Sequence, residues 1–132
     1  MRKTGKLLNP LILEAIARLG HGDKLVIADA GLPIPDGIEV IDISLLPGVP
    51  SFIQTLSAVL DEMQVESVML AEETAQRSPQ IHQAVLALLG PLPVWMMSHD
   101  ALKLHSAEAQ VAIRTGECTP YANIILVAGV TF

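Results

Sequence analysis

The sequence predicts one three-layer α/β/α domain. Short apolar runs alternate with segments of helical periodicity along the whole chain, the pattern of a sheet covered by helices on both faces. The chain has 132 residues, enough for one sizeable core. It contains no repeat, low-complexity tract or linker that would divide it, so residues 1–132 form a single unit.

Asn9-Pro10 opens the first helix, an N-cap residue followed by the proline favoured at the first helical position. Ile12, Ile16 and Leu19 recur at helical spacing, and Gly20 is the expected stop. Lys24–Asp29 is short and continuously apolar up to its aspartate, which reads as a buried strand. Gly37–Ile43 alternates apolar and polar residues, a half-covered strand. After the Pro47-Gly48-Val49-Pro50 loop, Phe52, Leu56, Val59, Leu60 and Met63 form one face of an amphipathic helix. Ser67–Ala71 is a third strand. Ser78-Pro79 opens a helix with Ile81, Val85, Leu88 and Leu89 on its face, and Gly90-Pro91 ends it. Pro93–Met97 is a further strand, and Ser98 caps a short helix from His99 towards His105. Val111–Arg114 and Ile124–Val130 close the chain as strands, joined by a loop over residues 115–122.

The net charge of −6 argues against nucleic acid and anionic membrane surfaces as partners. A single cysteine, Cys118, excludes an internal disulfide framework and a thiolate zinc site. The basic start Met-Arg-Lys-Thr-Gly-Lys is followed by Asn9, Pro10, Glu14 and Arg18, which interrupt any signal-peptide core. No apolar run reaches the roughly 18 residues of a membrane span, so a cytoplasmic protein is expected. Hydrophobic residues make up 51% of the chain against 17% charged, with a mean hydropathy of +0.48. A small monomer needs more charge than this, so the apolar surplus is assigned to subunit interfaces.

The chemistry-bearing residues cluster at element ends. His21 lies past a helix C-terminus, where the dipole favours imidazolium and suits a proton donor; a plain helix-end histidine is the structural alternative. Asp29 ends a buried strand, either to bind a ligand or to cap the Ala30-Gly31 turn. His99 starts a helix, where the dipole opposes positive charge and leaves an acceptor. Tyr121 and Asn123 stand two apart in a segment read as extended, so both face one side and suit a hydroxyl-rich ligand. His82 and His105 are read as exposed helix residues, and Glu72-Glu73 as a solvated pair. Cys118 has no base beside it in sequence. Phosphate-binding glycine loops, metal-ligand spacing and a nucleophile elbow are absent, and no cofactor or metal is expected.

Three stretches resemble the RbsD/FucU family of sugar mutarotases: LGHGDKLVIADAGLPIP at 19–35, LLPGVPSF at 45–52, and IRTGECTPYANIILVAGVTF at 113–132. The resemblance runs nearly end to end and implies a central mixed sheet. It implies His21 as proton donor, with Asp29, His99, Tyr121, Ala122 and Asn123 binding the sugar, Ala122 through its backbone. Ala30-Gly31-Leu32-Pro33 and residues 119–123 follow the ribose branch, whereas His-Gly-Asp at 21–23 resembles the fucose branch. The implied reaction interconverts pyranose and furanose forms of D-ribose by general acid–base ring opening and reclosure. The same chemistry on L-fucose, or a non-catalytic sugar-binding subunit of a ribose uptake system, are the alternatives. The resemblance also implies a homodecamer with sites between subunits.

Overall fold

The computed structural model describes residues 1–132. Its elements in chain order are α1 (Pro10–Arg18), β1 (Lys24–Ala28), β2 (Glu39–Asp42), α2 (Phe52–Glu62), β3 (Val65–Ala71), α3 (Glu72–Arg77), α4 (Pro79–Leu89), β4 (Val94–Met97), α5 (His99–Ser106), β5 (Val111–Arg114) and β6 (Ile124–Ala128). The strands form one mixed sheet in the order β2-β5-β1-β6-β3-β4. β1, β5 and β2 are mutually parallel, as are β3 and β4; β6 runs antiparallel to both its neighbours, β1 and β3.

Side chains alternate across the sheet with the strand period of two. Leu25, Ile27, Val111, Ile113, Ile124 and Leu126 enter a core with Ile12 of α1, Phe52 and Leu56 of α2, and Val85 of α4. The intervening Val26, Ala28, Ala112 and Ile125 face a smaller core with Leu102 of α5 and Leu32 of the loop after β1. The two outer layers are therefore unequal, and the thinner one leaves room beside the β1 loop.

Capping follows the chemistry read from the sequence at Asn9 and Ser98, and Ser51 adds a third cap that the sequence reading did not single out. Asn9, Ser51 and Ser98 each accept an N–H of their helix's first turn at 3.0–3.1 Å. Elsewhere the structure corrects the expectations. Helix α1 stops before Gly20 as expected but leaves through an extended Leu19, and the left-handed glycine is Gly22 (φ 85°), two residues beyond Gly20. Glu72 and Glu73 begin a further short helix, where acidic residues suit the positive end of the dipole. The last strand stops at Ala128, and Val130–Phe132 are exposed.

The apolar surplus is visible at the surface. Leu45 is 73% exposed, Trp95 63% and Leu104 76%, with Leu8, Leu46 and Phe132 also open. Trp95 and Met96 stand on edge strand β4, and Val40 on the opposite edge strand β2. No helix is long and apolar enough to cross a membrane.

The 45–52 loop locks onto the end of β5 through Gly116, which donates to the Pro50 carbonyl at 2.9 Å and accepts from Gly48 N–H at 2.6 Å. A Cβ on Gly116 would run into the carbonyl oxygens of Val49 and Leu46. Both obstacles are backbone, so Gly116→Ala is expected to destabilise the fold by about 1–3 kcal/mol through forced displacement. Guanidinium denaturation measures this, and an unchanged midpoint would show that the loop yields freely.

Candidate functional site

An open cavity of about 540 Å³ lies at the C-terminal end of β1, lined by Asp29, His99, Glu117, Thr119 and Tyr121 among others. Strand ends in open α/β sheets are where side chains converge on a space left by diverging loops. The β1 loop is braced from below: Ala30 N–H donates to the Glu117 carbonyl at 2.8 Å, and Arg114 donates to the carbonyls of Ala30 and Leu32 at 2.9 and 3.2 Å. Buried Thr115 donates its hydroxyl to the Ala28 carbonyl at 2.8 Å.

Asp29 does both things its position allowed. Its Oδ1 accepts from Gly31 N–H at 2.9 Å, capping the turn, and its carboxylate lines the cavity. Its Oδ2 accepts from the Asn123 amide at 3.1 Å, while Asn123 Oδ1 accepts from Asp29 N–H at 2.8 Å. Asn123 is only 1% exposed and is committed to Asp29 on both its polar ends. Each carboxylate oxygen of Asp29 keeps a lone pair for a further donor.

The expectation that Tyr121 and Asn123 share a side of an extended segment is not met. Tyr121 has φ 63°, a left-handed conformation rare for a bulky residue, so the chain turns there. The ring swings into the cavity while Ala122 and Asn123 go into the interior. Two hydroxyls hold this turn: Thr74 donates to the Tyr121 carbonyl at 2.7 Å and Ser78 to the Pro120 carbonyl at 2.6 Å. Ser78 consequently gives no side-chain cap to α4. The Tyr121 ring meets His99 edge-to-face, with centroids 5.0 Å apart at 83°.

His99 is half-buried at the start of α5, as its place after Ser98 predicts. Its backbone N–H donates to both oxygens of Glu73, at 3.1 and 3.0 Å. Glu73 is therefore tied into the site, which corrects its reading as one of a solvated pair. Its place in the first turn after a buried strand was the available signal. His82 and His105, read as exposed, are half-buried, each with an unpartnered Nδ1.

Glu117 was not singled out by the sequence, although a carboxylate among turn-forming threonines on a strand-to-strand loop is a recognisable hydrogen-bond hub. It accepts from Phe52 N–H at 3.0 Å, an unpaired first-turn donor of α2, and from the Thr119 hydroxyl at 2.8 Å. Burial pushes the carboxyl up. The hydrogen bonds from Phe52, Thr119 and Cys118 outweigh that and hold it below the usual glutamate range. Cys118 is exposed on the cavity wall.

His21 is not in this cavity. It is exposed in the turn before β1, at the opposite end of the sheet, beside a second groove of about 530 Å³ lined by Leu19, Met63, Val130 and Phe132. With a strand rise of about 3.3 Å per residue, β1 alone separates His21 from Asp29 by roughly 15 Å. One copy of the chain brings Asp29, His99 and Tyr121 together and leaves His21 apart.

Comparison with known proteins gives a consistent picture. The RbsD / FucU transport protein family model matches residues 1–131. A D-ribose pyranase of Symbiobacterium thermophilum is 52% identical over 132 residues, covering all of both chains. A D-ribose pyranase of Photobacterium profundum is 49% identical, covering 98% of this chain and 99% of its own. The structure of Bacillus subtilis RbsD complexed with D-ribose superposes with a TM-score of 0.96 at 45% identity, with both chains fully covered.

Because its folded-state pKa is lowered, Glu117 adds stability that is fully present above the ordinary glutamate value of 4.5 and is lost as pH falls through the folded value. Glu117→Gln is expected to lower stability at pH 7 by about 1 kcal/mol, discounted for partial exposure, and to flatten the decline below about pH 4.5. Denaturant titrations from pH 7 to pH 3 measure both, and parallel curves for mutant and parent would remove the assignment.

Proposed function

The chain belongs to the RbsD/FucU family, and from that premise we propose that it acts as a D-ribose pyranase, an isomerase that interconverts the pyranose and furanose forms of the free sugar. Full-length identity of about half to proteins named for that activity is the observation that carries the reading. The cavity suits such a ligand: a carboxylate with spare lone pairs, an imidazole, a phenol and a threonine surround a space open to solvent.

Opening the ring requires a proton on the ring oxygen and loss of one from the anomeric hydroxyl. Reclosure through a different hydroxyl changes the ring size, and composition is conserved throughout. In this reading Asp29 binds sugar hydroxyls by charge-assisted hydrogen bonds, with Asn123 holding its carboxylate in place. Tyr121 forms a wall and a hydroxyl contact, Ala122 contributes its backbone, and His99 or a water on Asp29 accepts the anomeric proton. His21 donates to the ring oxygen.

His21 must then come from another copy of the chain. The placement of His21 and Asp29 at opposite ends of β1 supports this, as do the exposed Leu45, Trp95, Leu104 and Phe132, which give apolar area for association. A cytoplasmic homodecamer with each sugar between two subunits is the assembly we assign by family resemblance. His-Gly-Asp at 21–23 favours an L-fucose-type specificity as the second reading.

Two-dimensional exchange NMR on D-ribose tests the activity. The protein is expected to accelerate exchange between pyranose and furanose signals, and His21→Ala to reduce that acceleration about 10²–10⁴-fold without unfolding. Ribose binding without acceleration would favour a binding subunit, and faster exchange of L-fucose would favour the second reading. Mixing His21→Ala with Tyr121→Ala subunits is expected to restore part of the activity. No recovery despite proven subunit exchange would place both residues in one chain's site.

A further inference from the structure

Outside the Asp29 cavity, Glu66 occupies a position that the sheet itself makes unusual. Val65 pairs with Ala128 and Ser67 with Val127, so Glu66 is the extra residue of a bulge in β3. A bulge re-aims the side chain it carries. Gly129 closes the irregularity, donating to the Gln64 carbonyl at 2.9 Å. A Cβ on Gly129 would lie 3.2 Å from the Glu66 Cβ, so glycine there makes room for the glutamate. The turn bearing His21 hangs from the same strand: Gly22 N–H donates to the Ala128 carbonyl, and Ala128 N–H to the Asp23 carbonyl, both at 2.8 Å. Asp23 also accepts from Gly20 N–H at 2.8 Å, which ties the turn to itself. The two side chains arrive 2.8 Å apart, Nε2 of His21 against Oε2 of Glu66. Glu62, the carboxylate that lines this groove, is taken by Arg2 at 2.7 Å, so Glu66 is the one paired with His21.

We propose that Glu66 is a positioning residue for His21, holding the imidazole by its Nε2–H so that Nδ1 is the nitrogen that exchanges a proton with the sugar. The inference rests on the pyranase reading for the identity of the reaction. An ionised carboxylate only accepts, so Nε2 carries the hydrogen in this contact and Nδ1 alone changes protonation. In ring opening, Nδ1–H of the imidazolium gives its proton to the ring oxygen as the bond from that oxygen to the anomeric carbon breaks. The anomeric hydroxyl loses its proton to the second base and becomes the aldehyde oxygen. In closure a different hydroxyl adds to the aldehyde carbon, its proton passes to Nδ1, and the second base returns a proton to the former aldehyde oxygen. Protons balance, and Nε2 keeps its hydrogen, donated to the Glu66 carboxylate throughout.

An ion pair this exposed adds little to fold stability, so kinetic and structural roles separate cleanly. The test uses the full chain labelled with ¹⁵N-histidine, with His21 assigned by its loss in His21→Ala. Magic-angle-spinning ¹⁵N spectra are expected to show the neutral His21 ring as the Nε2–H tautomer, and a mixture of tautomers in Glu66→Gln. Exchange NMR at saturating ribose is expected to slow about 10–100-fold in Glu66→Gln, the loss seen when carboxylates behind metal-bound imidazoles are removed. The half-saturating ribose concentration and the unfolding midpoint should stay unchanged, as expected for an interaction made in the transition state. An Nδ1–H tautomer in the parent protein, or full exchange rate in Glu66→Gln, would overturn the proposal. A parent protein without ribose exchange would instead remove the pyranase reading, and the tautomer would decide the pairing of Glu66 with His21 by itself.

Discussion

Strand β6 is hydrogen-bonded on both sides to strands running the other way, and the placement of the functional groups depends on that constraint. Because it opposes β1, its entry lies at the exit of β1 and its exit at the entry of β1. The approach to β6 therefore delivers Tyr121 and Asn123 to Asp29, and its departure delivers Ala128 to the His21 turn and Gly129 to the Glu66 bulge. Its five residues are all buried, so the strand cannot slip by one position without turning its Ile, Leu and Val side chains to the wrong core. Register in the core and geometry at both ends are one and the same specification.

Most of the fold was legible from periodicity and punctuation. Val111–Arg114 matches its strand, and Asn9 and Ser98 sit at helix starts where side-chain oxygens meet orphan N–H groups. Legibility failed where tertiary bonds outbid local ones. Ser78-Pro79 does open α4, but the Ser78 hydroxyl serves the Pro120 carbonyl, a partner 42 residues away, instead of its own helix. Helix α1 does stop before Gly20, but the left-handed turn falls to Gly22, which the Ala128 carbonyl holds.

The site divides in the same way. Residue type and position at strand or helix ends picked out His21, Asp29, His99, Tyr121 and Asn123. Their relations did not follow from spacing, because a left-handed Tyr121 breaks the two-residue alternation and sends Asn123 inward. Glu66, Glu73 and Glu117 look like ordinary acidic surface residues in the sequence. Local position hints at Glu73 and Glu117, but the partner of each comes from the fold: an imidazole for Glu66, a helix-start N–H for Glu73, and the first N–H of α2 for Glu117. In a chain with net charge −6, acidic residues are too common for type alone to mark them.

The turn at residues 120–121 has a thermodynamic corollary. Its two carbonyls are already clasped by Thr74 and Ser78, which are themselves buried on the α3–α4 segment. A ligand entering beside Tyr121 finds that wall ordered beforehand and gives up little loop entropy on arrival. Association should accordingly proceed without a slow ordering step, and the heat-capacity change on binding should reflect contact area alone rather than coupled folding of the loop.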